Sequence, residues 1–205
     1  MKPQYWDQAK RALSRADPVM GAIIRRNPRV HLVARGDPFL TLARSIVGQQ
    51  ISVKAAQAVW ERVAAALPAV TPACAIDAGP QRLLACGLSR RKVEYVLDLA
   101  GRLASGSIVP ERWRAMTDEQ VIGELVEVRG IGRWTAEMFL IFSLLRPDVL
   151  PLDDLGLQRA VSLGYRGGRK VSAAGIRRIA NGWQPWRSVA TWYLWRSLDP
   201  VPVEY

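Results

Sequence analysis

With 205 residues, 49% of them apolar, the chain can build one large or two small domains, and it has no uninterrupted apolar run of about 18 residues to form a membrane span. Its net charge of +11, from 24 arginines and 5 lysines against 18 acids, suits a polyanionic partner better than a small neutral substrate. Two cysteines, Cys74 and Cys86, and one histidine, His31, are too few for a disulfide framework or a four-cysteine cluster, which argues against metal catalysis.

The opening residues, MKPQYWDQAKRALSRADP, mix charges with apolar positions at helical spacing and lack the apolar core of a signal peptide, so a cytoplasmic protein is expected. Helices are predicted over 5–15 and 18–26, ended by the breaks at Asp17-Pro18 and Asn27-Pro28. His31, between Val30 and Leu32, reads as a packed or hydrogen-bonded residue. Asp37-Pro38 supplies an N-cap and a first-turn proline for PFLTLARSIVGQQIS, and Ser52 can cap the next helix, SVKAAQAVWERVAAAL. Gln49 and Gln50 then fall at a helix-to-helix turn, where residue type alone says only that they are solvated. Pro68, Pro72, Gly79-Pro80 and Gly87 break the chain between 67 and 89, leaving room for two short helices around Cys74 and Leu84. Ser89 opens an amphipathic helix with Val93, Val96, Leu97 and Ala100 on its apolar face.

Thr117 with Gln120 three places on forms a capping box for a helix that should end near Val128. Arg129-Gly130-Ile131-Gly132 follows, and two glycines flanking one apolar residue suit a tight hairpin that needs positive φ or close approach to something. A second helix from about Arg133 to Leu145 is apolar on nearly every side, a buried axis stopped by Pro147. The start of such a helix presents free N–H groups and the positive end of a dipole, an anion site that fits phosphate. Asp153 and Asp154 follow Leu150-Pro151-Leu152 at what reads as another helix start, where aspartate routinely caps. After a helix over 155–163 come the basic loop GYRGGRK, a helix from Ser172 carrying Arg177 and Arg178, and a last helix over 185–197 in WQPWRSVATWYLW. That tail holds half of the eight tryptophans, of which Trp183 and Trp186 are expected in the core. No alternating strand pattern of useful length occurs, so the fold class is all-α.

Four segments resemble one family. VEVRGIGRWTA resembles the helix-hairpin-helix motif of the DNA-repair glycosylases, hhxLPGhGxxTA with h apolar, although Arg129 stands where proline is common. RSIVGQQIS with KAA resembles RxIxxQQxS of the alkylbase glycosylases, GLSRRKVEYV resembles GLSxxKxxYI, and the tail resembles WxPWRSxAxxxxW. Together they run from Asp37 to Trp195 and are specific to the 3-methyladenine DNA glycosylase II branch. The resemblance implies two helical lobes with a central cleft in the helix-hairpin-helix glycosylase fold. Residues 38–146 would form the central bundle, and 1–37 with 147–205 the other lobe. The chain is too short for the extra N-terminal sheet domain of some members.

By the same resemblance the activity is that of a monofunctional glycosylase in base excision repair. It would flip alkylated purines, of the 3-methyladenine and 7-methylguanine type, out of double-stranded DNA and leave an abasic site. Asp154 matches the catalytic aspartate and Asp153 is its neighbour, orienting the turn or the water. Trp134, Met138, Trp195 and Asp153 would line the base pocket. Gln49 and Gln50 would face the minor groove, Gln50 filling the gap left by the extruded nucleotide. Gly130, Gly132, Arg133 and Thr135 would hold the backbone, and the carbonyls of Val126, Val128 and Ile131 could carry a structural Na+ or K+. Trp134 replaces the Schiff-base lysine of lyase-competent relatives, which implies no lyase step, and the iron–sulfur loop of endonuclease III is missing, so no cofactor is required. Met138 and Arg196 depart from tyrosines in a bacterial relative. A monomer, nucleoid-associated in a prokaryote and without a membrane partner, is expected. The alternatives are a non-catalytic helix-hairpin-helix DNA-binding protein and a glycosylase for deaminated or oxidised bases; Asp154 and the WxPWRS tail argue against a mere binder.

Overall fold

The computed structural model describes residues 2–198, and all regular secondary structure among them is helical. The α-helices are α1 (Trp6–Ala16), α2 (Pro18–Arg26), α3 (Pro38–Gly48), α4 (Val53–Ala66), α5 (Pro72–Ala85), α6 (Arg90–Ala104), α7 (Asp118–Val126), α8 (Arg133–Phe142), α9 (Leu155–Arg166), α10 (Ala173–Ala180) and α11 (Arg187–Leu198). Short 3-10 turns at Pro110–Ala115 and Asn181–Trp183 precede α7 and α11.

Polar caps set where the helices begin. The side chains of Asp37, Ser52 and Ser89 accept the N–H groups of Leu40, Ala55 and Lys92, and Thr117 with Gln120 forms the complete capping box. Several ends differ from expectation. α7 stops at Val126, two residues early. α8 stops at Phe142 although the apolar run continues to Leu145; beyond it, Arg146 precedes proline and is disfavoured in a helix. The chain turns out through Leu145 at φ 54°, and the Arg146 N–H bonds back to the Leu140 carbonyl at 2.9 Å. α9 runs on to Arg166, three residues past the expected end, and closes on Gly167 in the left-handed region. α5 is two helical pieces meeting at Gly79 (φ 67°, ψ 175°), just before Pro80.

The chain divides into two compact units. One is Arg35–Phe139; among the described residues the other joins 2–34 with 140–198, so the boundary lies inside α8 and not near residue 146 as the family pattern suggested. In the 35–139 unit, α3, α6 and α7 bury Leu42, Ile46, Leu99 and Leu125, while Trp113 packs edge-on to Phe139 and donates its indole N–H to Glu124 at 2.7 Å. In the other unit Trp6 sits against Trp192 and Tyr193, with centroids 5.2 and 5.8 Å away. Asp17 ties its helices together: Oδ1 caps α2, and Oδ2 accepts the Tyr165 hydroxyl at 2.6 Å and the Trp183 indole at 2.9 Å. Trp183 is fully buried as expected, whereas Trp186 is half-buried and stacks on Tyr5.

Candidate active site and nucleic-acid interface

The first grouping lies in the unit that contains α9 and α11. Leu150-Pro151-Leu152-Asp153 makes a turn closed by the Asp154 N–H on the Pro151 carbonyl at 3.1 Å and braced by the Gln158 carboxamide on the Leu152 carbonyl at 2.8 Å. Asp154 is the N-cap of α9, and its Oδ1 accepts both the Leu157 N–H at 2.6 Å and the Trp195 indole N–H at 2.7 Å. The residue is 8% exposed, and the N–H groups at the start of the helix fix the direction of its carboxylate. Trp195 is held from a second side by Phe142, stacked at 5.7 Å and 12°. Gly156 makes room for this contact, since a Cβ there would lie 3.0 Å from Trp195 Cδ1 and 3.1 Å from Asp154 Oδ1. Asp153 is exposed, and among the described residues no hydrogen bond or ion pair holds its carboxylate. The two adjacent aspartates thus occupy opposite environments.

The tail motif supports this turn. Arg187 grips Asp148 with two 2.8 Å hydrogen bonds from Nε and Nη2, the Ser188 hydroxyl accepts the Val149 N–H at 2.9 Å, and the Ser188 N–H reaches the Pro147 carbonyl at 3.0 Å. Arg187 and Ser188 therefore anchor the segment that delivers Asp154. Sequence reasoning missed Asp148 and Gly156, whose partners Arg187 and Trp195 each lie 39 residues further along the chain.

The second grouping lies in the 35–139 unit. Gly130 has φ 81°, and a Cβ on it would fall 2.1 Å from the Tyr95 ring, so an internal contact demands this glycine. Gly132 is exposed, and a Cβ added to it would meet nothing within 4 Å, which leaves open the approach of another molecule. The Ala136 N–H makes the first helical bond to the Gly132 carbonyl at 3.1 Å, so N–H groups of the preceding turn have no intrahelical acceptor. Thr135 belongs to that turn, but its side chain is buried, leaving only its backbone to offer.

One face of α6 holds both this hairpin and the glutamine turn. Lys92 donates to the carbonyls of Val47 and Gln49 at 2.8 and 2.7 Å, and its partial burial lowers its pKa from the ordinary lysine value. Tyr95 underlies Gly130, and Asp98 accepts the Arg129 N–H at 2.9 Å. Gln49 closes the circuit, its carboxamide donating to the Gly130 carbonyl at 2.8 Å. Gln49 is thus a strut between the two loops, while Gln50 alone projects, exposed at φ 59°, a backbone state that a non-glycine residue rarely adopts. Arg133 is exposed, yet its guanidinium is forked onto Glu119 and its Nε bonds Glu137 at 3.1 Å. The bridge raises the Arg133 pKa and lowers that of Glu119, each chiefly through the hydrogen bond between them.

Of the remaining expected pocket residues, Trp134 is half-buried at the start of α8, and Met138 is 8% exposed with little surface to present. Val126 ends α7, where the last carbonyls of a helix lack intrahelical donors, and the Val128 carbonyl accepts the Ile131 N–H at 3.0 Å while keeping a second lone pair. Neutral carbonyl oxygens of this kind suit a hard monovalent cation.

Residues 43–185 match the family model described as HhH-GPD superfamily base excision DNA repair protein. The chain belongs to this superfamily. Its similarity to DNA-3-methyladenine glycosylase 1 of Schizosaccharomyces pombe is 34% identity over 78% of the chain and 72% of that protein. DNA-3-methyladenine glycosylase 2 of Escherichia coli is 31% identical over 90% of the chain, which spans 66% of that protein's length. Among solved structures, a Schizosaccharomyces pombe 3-methyladenine DNA glycosylase in complex with abasic DNA superposes with a TM-score of 0.80 at 31% identity, covering 93% of this chain and 96% of that one. The HhH-GPD match runs from the middle of α3 to the residue before Trp186 and so takes in the glutamine turn, the hairpin and Asp154.

Proposed function

We propose that this HhH-GPD protein is a monofunctional DNA glycosylase of base excision repair that removes alkylated purines of the 3-methyladenine and 7-methylguanine type from duplex DNA. The observation that carries the reading is Asp154, a buried carboxylate at a helix N-terminus bonded to the indole of Trp195. Scission of an N-glycosidic bond passes through a sugar with oxocarbenium character, and a fixed negative charge near C1′ stabilises it. The bond electrons leave with the alkylated base, water adds to C1′, and Asp154 accepts the water's proton. Trp195 offers an aromatic face beside the carboxylate, and cationic purines stack well on such a face. Gln50 fills the space left by the extruded nucleotide, which fits its exposure and its positive φ. The hairpin takes a backbone phosphate on the N–H groups at the start of α8, and the Val126, Val128 and Ile131 carbonyls hold a Na+ or K+ ion there. The place of action is the compartment that holds the DNA: the cytoplasm, with the nucleoid, in a prokaryote.

Trp134 stands where lyase-competent relatives have an amine, so water is the nucleophile and the strand stays unbroken. The test is excision on a panel of single-lesion duplexes with borohydride present. Release of alkylated purines, with cleavage only after alkali, is expected. A borohydride-trapped protein–DNA adduct would overturn the monofunctional reading, and release of only deaminated or oxidised bases would overturn the substrate class.

A further inference from the structure

The positive charge of this chain is not spread evenly. Between Leu155 and Ser197 the sequence contains eight arginines and lysines and no aspartate or glutamate. Five of these cations fall in one stretch of the chain: Arg166 at the end of α9, Arg169 and Lys170 on the loop that follows it, and Arg177 and Arg178 on α10. All five are exposed, and none makes an ion pair among the described residues. The loop that carries them is shaped by its own bonds. The Gly168 N–H reaches the Ser162 carbonyl at 2.9 Å, the Ser162 hydroxyl donates to the Arg169 carbonyl at 2.9 Å, and Gly167 and Gly168 both take positive φ. Like charges in one stretch with no acidic residue between them favour binding of a polyanion. By contrast, the exposed arginines of α1 share their helix with Asp7, and those of α2 follow Asp17.

We infer that the α9–α10 loop and α10 form a second DNA-backbone surface, separate from the hairpin, that grips phosphates away from the lesion. α9 fixes its distance: Asp154 caps one end, the basic loop leaves the other, and 12 helical residues span about 18 Å. At about 3.4 Å per base-pair step, that is about five steps from the base at Asp154 when α9 runs along the duplex. The surface carries no base-reading geometry, so it adds affinity for any duplex, damaged or not. The inference rests on the reading of the chain as a DNA-acting enzyme.

The test compares wild type with a variant in which Arg166, Arg169, Lys170, Arg177 and Arg178 are all changed to glutamine. A control changes Arg11, Arg15, Arg25 and Arg26 on α1 and α2 in the same way. Binding to an undamaged 24-base-pair duplex is measured against salt, with folding checked by circular dichroism. Each phosphate contact contributes about 0.9 to the slope of log K against log salt. The five-residue variant should lose two or more units of slope and at least tenfold in affinity at 0.1 M salt, and the control should keep the wild-type slope. On an 8-base-pair duplex with a central lesion the variant and wild type should bind alike. A five-residue variant with the wild-type slope, or a control that loses as much, overturns the inference. Excision by wild type is scored separately: its absence would count against the glycosylase, while the salt slopes would still decide whether this surface binds DNA.

Discussion

Asp154→Asn keeps an oxygen for the Leu157 N–H and the Trp195 indole, and asparagine caps a helix about as well as aspartate, so the fold should survive. What disappears is the charge proposed to face C1′ and to take the water's proton. A loss of about a thousandfold or more in single-turnover excision is expected, with lesion binding retained. Asp153→Asn, in an exposed and unbonded side chain, should change the rate less than threefold. The reverse ranking of the two variants would move the chemistry to Asp153. Gly156→Val tests whether Trp195 must close on the carboxylate, because its Cβ would crowd both Trp195 and Asp154. Overpacking of this kind costs about 1–3 kcal/mol. Excision should fall by more than stability accounts for, and an unchanged rate in the folded variant would make the indole contact dispensable.

At the scale of elements, the two hairpin glycines separate cleanly. Gly130→Ala must displace the Tyr95 ring and adopt a left-handed backbone, so thermal or denaturant unfolding should show a loss of about 2–4 kcal/mol. Gly132→Val has open space around it and should leave stability nearly unchanged while blocking the strand, cutting DNA affinity. Wild-type affinity in that variant would remove the hairpin from the interface. Lys92→Met removes two bonds from an ammonium, each worth about 1.5–3 kcal/mol when the donor is charged. Because Gln49 joins the turn to Gly130, hydrogen exchange should quicken at the glutamine turn and at the hairpin together. Acceleration confined to the turn would show that the α6 face does not couple the two loops.

For the whole molecule, a net charge of +11 should make binding to undamaged duplex strongly salt-dependent. If the hairpin and the basic surface on α9 and α10 together meet about six phosphates, affinity should drop roughly a thousandfold between 50 and 200 mM salt. Fluorescence anisotropy titrations measure this directly, and a drop smaller than tenfold would mean that most of the charge serves solubility alone. The division into two units has a related consequence. The hairpin expected to hold the backbone sits in the 35–139 unit, and the carboxylate expected to do the chemistry sits in the other, together with the basic surface on α9 and α10. Variants of either kind can therefore be read as binding or chemical defects by separating affinity from single-turnover rate.

The sequence alone determined the helices, their caps and the family, because capping and apolar periodicity are local and the four motif segments each span only a dozen or so residues. Thr117 with Gln120, Ser52, Ser89 and Ser172 cap where their residue types say they should. Candidate residues such as Asp154 and Gln50 were legible for the same reason, as matched letters in short words. Tertiary structure alone decided what each one does within the protein. Gly130 answers to Tyr95, Gln49 to Gly130, Arg187 to Asp148 and Trp195 to Asp154, pairs separated by 35 to 81 positions that no local pattern records. It also separated Asp153 from Asp154, because adjacent letters of one type differ only when a turn buries one side chain against an indole N–H and leaves the next in water.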